Sequence, residues 1–468
     1  MAKKSDNKRA AKRAYREAEK AAKRNPKVFW TIIAIVLVLV IVAGAVLFWL
    51  YRSGKFDAWK NGGDSPSIDS GDNQGGNQGD NQGGNQGGNQ GGNQGGNQGG
   101  NQGGNGANTG VGVGTAEDIV SADLSIHFLE LGVSNAGDCV LIKSGNTEVL
   151  IDAGAKSATA PTQAMLDYVA EYCTDGTLEY VIATHAHEDH IAGLVGQEKG
   201  GTRTGFLYQY KIGTIIQFAR HKTTSQIYQR YTEAVEYCAG KGTNVYTALD
   251  CVNAENGAKA TYYLDEAQTI SMNVLNQKYY SQNSSSENNY SVCMLLTQKL
   301  ASGENNYLFT GDLESSGESS LVDLNPDLPH CVLYKGGHHG SSTSSSDKLL
   351  NKITPDNIAI CTCAGTYEYA DKPTAENPNN YLNTFPTQEA IDRMSKHTDK
   401  IYITTLGIID VDNNYKTTGF TSMNGNVVFY YGKGKEESEG SLKLWCSNNT
   451  TVLKDTEWFK SNRTWNGV

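Results

Sequence analysis

Residues 180–190 read Tyr180-Val181-Ile182-Ala183-Thr184-His185-Ala186-His187-Glu188-Asp189-His190. The apolar run 180–183 predicts a buried strand, and the small apolar residues 191–194 predict the start of a helix. Three of the chain's nine histidines and one aspartate fall within six positions on the segment between them. A loop between a strand and a helix is a rigid place for reactive polar groups. The stretch therefore predicts an α/β fold with a functional site at a strand end.

The residue types of this loop predict a metal site with two ions. Imidazole and carboxylate ligands suit Zn²⁺, and also iron or manganese. On an extended loop His185 and His187 point the same way and can hold one ion, while Asp189 and His190 turn toward a second. The alternative is a polar loop with ordinary histidines, but the clustering of three of the nine histidines argues against it.

Further stretches place polar residues beside apolar runs. In chain order they are Ile126-His127-Phe128-Leu129-Glu130-Leu131-Gly132, Gly137-Asp138-Cys139, Val149-Leu150-Ile151-Asp152-Ala153-Gly154, Asn288-Asn289-Tyr290-Ser291-Val292, Leu308-Phe309-Thr310-Gly311-Asp312 and Lys335-Gly336-Gly337-His338-His339-Gly340-Ser341. Together with residues 185–190 they resemble the motifs of the metallo-β-lactamase superfamily, in the family's order, over roughly residues 122–430. Residues 126–139 and 288–292 resemble one branch of it, which contains the hydrolase domain of the ComEC competence channel and the teichoic acid phosphorylcholine esterases.

This resemblance implies an α/β fold of the αββα type, a four-layer sandwich with two mixed sheets between outer helices and the motifs at one edge. It also implies a hydrolase with two divalent ions, Zn²⁺ first, with Mn²⁺ or Fe²⁺ as alternatives. The implied metal ligands are His185, His187, Asp189, His190, Asp312, His338 and His339. Asp189, His338 and His339 are also the candidate catalytic residues, because whichever adjacent histidine is not a ligand can donate a proton. Asp152 is expected to support a ligand imidazole from behind.

Two departures from the family pattern bear on the site. The usual third histidine motif is absent: the only histidine between residues 190 and 312 is His221, and its surroundings do not match. His338 and His339 are therefore candidates to bind one ion each, or one binds and the other donates a proton. Thr384-Phe385-Pro386 stands where ComEC-type domains carry Gly-His-Pro. This second departure argues against an identical substrate.

The first 51 residues predict a membrane anchor. Residues 1–28 carry eleven Lys or Arg and three Asp or Glu, and 22 uncharged residues follow from Phe29 to Leu50. At about 1.5 Å per residue such a helix spans roughly 33 Å, enough to cross a bilayer. The basic side is expected in the cytoplasm, beside anionic lipid, and everything after Tyr51 outside the cell. A cleaved signal peptide is the alternative, but bulky Phe48-Trp49-Leu50-Tyr51 offers no small-residue cleavage site.

These features divide the chain into five parts. They are a basic cytoplasmic tail (1–28), a transmembrane signal anchor (29–51), an Asn/Gln/Gly-repeat linker (52–118), the hydrolase domain (119–431) and a C-terminal extension (432–468). The linker has few apolar groups to bury, so it is expected to be disordered and to tether the domain to the surface of a Gram-positive type of bacterium. In the extension, residues 442–446 predict a short strand, and Trp458 and Trp465 predict packing rather than sugar binding. The nine cysteines form no zinc pattern and predict buried apolar side chains.

Charge bears on the substrate. The whole chain has a net charge of −10, and subtracting +8 for residues 1–28 and +1 for Arg52 leaves the remainder near −19. A protein that grips a long polyanion usually has a basic surface, so nucleic acid is the less favoured partner. The leading hypothesis is a membrane-anchored extracellular phosphodiesterase or esterase acting on cell-wall or small surface phosphodiesters such as phosphorylcholine. The alternatives are an extracellular competence-type nuclease and a non-enzymatic binding module on a hydrolase scaffold.

Overall fold

The computed structural model describes residues 112–154, 160–199, 202–366, 384–410, 416–432 and 441–468. Most of its strands belong to two large sheets. In chain order the strands are β1 (Gly112–Val113), β2 (Leu124–Phe128), β3 (Val140–Ser144), β4 (Thr147–Ile151), β5 (Thr177–Ala183), β6 (Glu198–Lys199), β7 (Thr202–Arg203), β8 (Lys211–Gln217), β9 (Asn244–Thr247), β10 (Thr261–Tyr263), β11 (Ile270–Val274), β12 (Met294–Leu300), β13 (Gly303–Phe309), β14 (Leu333–Lys335), β15 (Ile358–Ala364), β16 (Ile401–Asp410), β17 (Lys416–Ser422), β18 (Val427–Gly432) and β19 (Ser441–Cys446).

Both large sheets are mixed. The first has the order β1-β19-β18-β2-β3-β4-β5-β8-β9, antiparallel from β2 to β4 and parallel from β4 to β9. The second has the order β10 to β17 in sequence, with β13 to β16 parallel and antiparallel strands on either side. The short strands β6 and β7 pair apart from both sheets. In each sheet, loops that leave the carboxyl ends of parallel strands can therefore carry the functional groups.

Helices cover the outer face of each sheet. They are α1 (Ala116–Val120), α2 (Ala160–Tyr172), α3 (Glu188–Val195), α4 (Phe206–Gln209), α5 (Gln226–Ala239), α6 (Ala248–Asn253), α7 (Ser315–Leu324), α8 (Asp347–Ile353), α9 (Gln388–Met394) and α10 (Glu457–Asn462). Short 3₁₀ turns lie at Lys278–Tyr280, Asn288–Tyr290, Gly337–Gly340 and Leu453–Asp455.

Alternate residues of the strands explain the layering, because successive side chains point to opposite faces. In β15, Ala359 and Cys361 join the core between the sheets, whereas Ile358 and Ile360 join a second core with the buried side of α7 to α10. Across the first of these cores, the Phe128 ring stacks on a ring of the facing sheet, Phe309, with centroids 6.3 Å apart. Helices α2, α3 and α5 cover the other side of the first sheet. The α/β fold with helix-sheet-sheet-helix layers predicted from the sequence is confirmed.

Two strands show how local packing limits the sheets. In β8, Gly213 lies against the neighbouring strand β5, and a Cβ there would lie 2.7 Å from the Glu179 carbonyl oxygen. β12 begins at Met294, after the motif residues Ser291 and Val292. Residues 291 and 292 are used elsewhere, because the Val292 amide donates to the Thr184 carbonyl (2.9 Å) at the predicted metal loop.

Both ends of the predicted hydrolase domain extend further than the sequence indicated. Gly112 of β1 pairs with Lys443 of β19, and the Thr115 side chain caps α1, so the domain begins before residue 119. At the other end, β19 pairs along its length with β18, so part of the predicted extension belongs to the first sheet. Trp458 and Trp465 pack against the second core, as their predicted packing role requires.

Two further expectations concern the membrane and the cysteines. Over the described ranges, no helix is long and apolar enough to cross a membrane. The predicted tail and anchor (1–51), and the linker up to residue 111, lie outside the described residues. All nine cysteines are described, and each is buried and unbridged, which agrees with their prediction as buried apolar side chains.

A buried histidine in the first sheet gives a test of stability against pH. His127 is fully buried, with Nδ1 2.8 Å from the Tyr168 hydroxyl and Nε2 2.8 Å from Ser125 Oγ. Burial lowers the pKa of His127 to about 3, so the folded protein binds fewer protons than the unfolded chain once the pH falls below about 6.5. Stability contributed by the neutral ring is therefore present above that pH and lost as the pH falls toward 3.

We expect His127→Phe to reduce the pH dependence of stability. Between pH 7 and pH 5 the neutral imidazole accounts for a loss of about 2 kcal/mol in the free energy of unfolding, which the variant cannot show. Urea unfolding of metal-free full-length protein at both pH values measures the difference. An equal loss in the parent and the variant would contradict a neutral buried His127.

Candidate metal centre

Four imidazoles converge on a single oxygen, Oδ2 of Asp312, in the loop after β13. Their Nε2 atoms lie 3.0 Å (His190), 3.3 Å (His339), 3.8 Å (His338) and 3.9 Å (His185) from it. These residues follow β5, β13 and β14, with His190 in the first turn of α3, so both sheets contribute to one cluster. All five side chains are buried. The structure thus brings together ligands that the sequence spreads over 155 positions.

Each of these rings is held at its other nitrogen. The partners of Nδ1 are Asp152 Oδ2 for His190 (2.8 Å), the Cys361 carbonyl for His339 (2.9 Å), Thr343 Oγ1 for His338 (3.0 Å) and Thr184 Oγ1 for His185 (3.2 Å). A carboxylate and a carbonyl only accept hydrogen bonds, so Nδ1 of His190 and His339 carries the proton. Their Nε2 atoms face a carboxylate oxygen, and a lone pair there would be repulsive unless a proton or a metal cation lies between the two atoms.

Asp152 connects the end of β4 to the metal loop. Its Oδ1 accepts from the Thr184 amide (2.8 Å), and its Oδ2 accepts from the Thr184 hydroxyl (2.6 Å) as well as from His190. Asp152 has a φ of 56°, a left-handed conformation that costs energy for a residue other than glycine and recurs at functional sites. Asp152 therefore contacts the His190 imidazole at Nδ1, the nitrogen that faces away from Asp312, which is the supporting contact expected of it.

The remaining two predicted ligands lie on the open side of the cluster. His187 Nδ1 is 3.0 Å from His185 Nε2, and Asp189 Oδ2 is 3.5 Å from His339 Nε2. His187 and Asp189 are half-buried, and 30% of the Asp189 side chain is exposed. Solvent and substrate can therefore reach the cluster from the side of residues 187–189.

The buried carboxylates create a strong demand for positive charge. Burial opposes a charged His190, but Asp312, Asp152 and Asp138 outweigh it and raise the pKa of this imidazole well above its usual value. Burial likewise opposes a charged Asp312, yet the surrounding imidazoles, His190 first, hold the pKa of its carboxyl well below the usual range. For His338 burial dominates and lowers the pKa to about 4. The demand can be met by protons on some of the rings or by metal cations.

The donor set fits divalent metal ions. Three groups have ligand atoms within 4.8 Å of one another: His185/His190/Asp312, Asp189/His190/His339 and Asp138/Asp312/His339. In the described part of the chain, four buried atoms of these groups have no hydrogen-bond partner: Asp312 Oδ1, His339 Nε2 and both carboxylate oxygens of Asp138. Buried polar atoms without partners are costly, and a cation between Asp312 and His339 would satisfy an atom of each. Nitrogen and carboxylate ligands suit zinc, manganese or iron.

The histidine pair is held in a strained turn. His338 (φ 47°) and His339 (φ 55°) both adopt the left-handed conformation. The loop that follows the turn is fixed by side chains from two helices. Glu318 of α7 accepts hydrogen bonds from the amides of Ser345 (2.6 Å) and Ser346 (2.7 Å). Arg393 donates to three carbonyls of the same loop, those of residues 342, 344 and 345, at 2.8 to 2.9 Å. This bracing offsets the local strain and keeps both imidazoles directed at the cluster.

Three residues of the motifs, Asp138, Asn288 and Lys335, contact the cluster although the sequence did not identify them as site residues. Lys335 Nζ lies 2.6 Å from Asp138 Oδ2, and both side chains are 2% exposed. Asn288 Nδ2 lies 3.3 Å from His338 Nε2 and 3.3 Å from Glu314 Oε1. A lysine directly after the apolar residues 332–334 was a signal of a buried charge that needs a partner.

The structure shows where His221 and Phe385, the residues at the two departures from the family pattern, lie relative to the cluster. His221 is exposed, contacts the Thr223 carbonyl (Nδ1 to oxygen, 3.1 Å) and stacks on Tyr228 with ring centroids 4.1 Å apart, so it is not part of the cluster. Phe385 is buried, and its ring centroid lies 5.6 Å from that of His339 and 6.3 Å from that of His338. An aromatic ring therefore covers the histidine pair on one side.

Part of the chain is similar to known proteins. Residues 134–196 match the family model described as the metallo-β-lactamase superfamily. The chain is 37% identical over 70 residues to the competence protein ComA of Neisseria gonorrhoeae, covering 15% of this chain and 10% of the relative. It is 24% identical over 151 residues to the ComE operon protein 3 of Bacillus subtilis (strain 168), covering 30% of this chain and 17% of the relative.

Among solved structures, the chain shows similarity to the metallo-β-lactamase fold protein YhfI from Bacillus subtilis. The similarity covers 60% of this chain and 96% of that chain, at 12% identity and a TM-score of 0.30. The chain spans between a tenth and a fifth of the length of the two competence relatives.

Proposed function

Because this chain belongs to the metallo-β-lactamase superfamily, in its competence-protein-like branch, we propose that it is a metal-dependent hydrolase of phosphodiester or ester bonds. The observation that carries the proposal is the convergence of four imidazole Nε2 atoms on Asp312 Oδ2 in a buried cluster that contains polar atoms without hydrogen-bond partners. A binding module would not need this concentration of costly buried charge.

The residues divide into two ion sites. His185, His187 and His338 would hold one ion, and Asp189, His190 and His339 would hold the other, while Asp312 reaches both. His338 is assigned as a ligand because its Nε2 is as close to Asp312 Oδ2 (3.8 Å) as that of His185 (3.9 Å), and Thr343 holds its Nδ1. When bound, divalent ions bring a water of lowered pKa and offset the charge of a phosphoryl or carbonyl oxygen.

The chain's own groups orient the reactants. Asp189 faces the open side, and although burial opposes its charge, the nearby imidazoles of His339 (Nε2 at 3.5 Å) and His190 lower the pKa of its carboxyl. It therefore stays ionised and can accept a hydrogen bond from an attacking water. On the other side, Phe385 shields His338 and His339 from solvent, which strengthens the electrostatic interactions within the cluster.

For the substrate, we propose a cell-wall or small surface phosphodiester, with phosphorylcholine esters as the first candidates. The support is the charge near −19 outside the predicted tail and anchor, which disfavours a long polyanion. The apolar Phe385 beside the histidine pair also suits a compact zwitterionic group. A membrane anchor at residues 29–51 with the catalytic domain outside the cell rests on the sequence pattern, and Zn²⁺ is the first candidate metal.

A competence-type nuclease is the second candidate, favoured by the names of the two competence relatives. Two basic side chains, Arg220 and Lys222, could also contact the phosphates of a nucleic acid. The side chains of Arg220 and Lys222 contact neutral oxygens, Asn283 Oδ1 at 2.5 Å and the Ser285 carbonyl at 2.7 Å. Glu287 accepts from the Lys222 amide (2.6 Å), and the next residue, Asn288, contacts His338. The cationic loop is thereby connected to the cluster.

Assays with two small phosphodiesters and with single-stranded DNA distinguish the phosphodiesterase from the nuclease. The full-length chain with Zn²⁺ or Mn²⁺ is assayed on p-nitrophenyl phosphorylcholine, bis-p-nitrophenyl phosphate and single-stranded DNA, with His187→Ala as the control. We expect turnover of both small esters, faster with choline, and loss of turnover in the control. Preferential cleavage of DNA, with an affinity that falls as salt rises, would favour the nuclease. Metal-loaded protein without turnover of any phosphodiester would contradict the proposal.

A further inference from the structure

A buried ion pair lies directly behind the second ion site. Asp138 Oδ1 is 3.3 Å from His339 Nδ1, and Asp138 Oδ2 is 3.7 Å from His190 Nδ1. Lys335 Nζ is 2.6 Å from the same Oδ2. One carboxylate therefore lies beside the Nδ1 atoms of the two imidazoles assigned to the second ion, whose Nε2 atoms face Asp312.

The backbone of Asp138 also connects the loops of this site. Its amide donates to the Asp189 carbonyl (3.1 Å), and its carbonyl accepts from the Gly154 amide (2.9 Å). A Cβ at position 154 would fall on the backbone of Asp189, so glycine is required for this close approach. The Asp138 side chain is thus fixed relative to the metal loop by main-chain contacts that do not depend on Lys335.

A buried ion pair is weak evidence for a stabilising role, because removing both charges is often neutral while removing one is costly. The position of this pair has a second consequence. The Nδ1 protons of His190 and His339 go to Asp152 and to the Cys361 carbonyl, so Asp138 acts on these rings through its charge. A buried carboxylate 3.3 to 3.7 Å from the two rings favours a cation on their outer nitrogens, whereas an ammonium group opposes it. The two partners of the pair should therefore affect metal affinity in different ways.

We propose that Asp138 is a positioning residue that sets the affinity of the ion that Asp189, His190 and His339 would hold, and that Lys335, which also contacts the Gly311 and Gly336 carbonyls, compensates its charge. The inference rests on the proposed function, since it assumes the two ion sites. It assigns Asp138 to one site only, because its contacts at the cluster are to His339 and His190 and not to His185 or His338.

The proposal is tested by calorimetric titration of the full-length, metal-free chain with Zn²⁺, alongside thermal melting without metal. Asp138→Asn should leave one of two binding events unchanged and weaken the other about 10- to 100-fold. Lys335→Met should lower the melting temperature but bind the second ion at least as tightly as the parent, because a bare carboxylate then faces the cation. The double variant should regain melting temperature without regaining affinity.

Different outcomes overturn different claims. Equal weakening of the second ion in Asp138→Asn and Lys335→Met would show a merely structural pair and contradict the inference. Recovered affinity in the double variant, or a loss of both binding events in Asp138→Asn, would contradict it as well. A parent chain that binds no Zn²⁺ would instead contradict the proposed function, so the two failures are distinguishable.

Discussion

Asp312→Ala should abolish hydrolysis and lower the number of bound ions from two to one or fewer. Asp312 Oδ2 is the point where the four Nε2 atoms meet, so its removal leaves both ions without a shared ligand. If the ions contribute about 4 kcal/mol to transition-state stabilisation, the loss in kcat is on the order of thousandfold. Steady-state turnover and metal analysis of the same samples measure both effects.

Asp323→Ala is the matched control for this prediction. Its carboxylate is 66% exposed and pairs with Lys348 at 2.7 Å on the surface, where an ion pair contributes little. The control should keep both ions and parental turnover, and circular dichroism should show that the two variants remain folded. Parental kcat in Asp312→Ala would contradict the role of the cluster.

His338→Ala should remove one bound ion and reduce turnover by at least a hundredfold. The family's usual third histidine is absent, and His338 offers the remaining buried imidazole whose Nε2 faces Asp312. A ligand position, rather than proton donation, predicts that metal content falls together with activity. Two retained ions in a variant with lowered turnover would instead identify His338 as the proton donor.

His221→Ala is the matched control, because His221 is exposed and hydrogen-bonds only within its own loop among the described residues. It should retain two ions and the parental rate. Loss of an ion in His221→Ala would show that His221 is a metal ligand and would contradict its position outside the cluster.

The sequence predicted the parts of the site that lie at strand ends. Asp152, the segment from His185 to His190 and Asp312 each follow a short apolar run. The parallel strands β4 and β5 bring the first two to one edge of the first sheet, whereas Asp312 follows β13 of the second sheet. The apolar runs indicated where these residues lie, and the resemblance of the motifs to the metallo-β-lactamase superfamily supplied their roles and the layered fold.

The contacts behind the ligands could not be predicted in this way. Asp138 and Lys335 are 197 positions apart and meet only when the two sheets pack, so no spacing rule connects them. Thr343 is likewise an ordinary loop residue until the strained turn directs His338 Nδ1 toward its hydroxyl. Long-range packing, rather than local propensity, decides which polar group stands behind each imidazole.

The most direct test of the binuclear centre is the number of Zn²⁺ ions that the full-length chain retains after saturation and gel filtration. Mass spectrometry of the metal, with the protein concentration from the same fractions, gives this number per chain. The arrangement around Asp312 predicts two ions in the parent and none in a variant lacking both His190 and Asp312. A parent that retains no ion, or a variant that retains two, would contradict the assignment of this cluster as a metal centre.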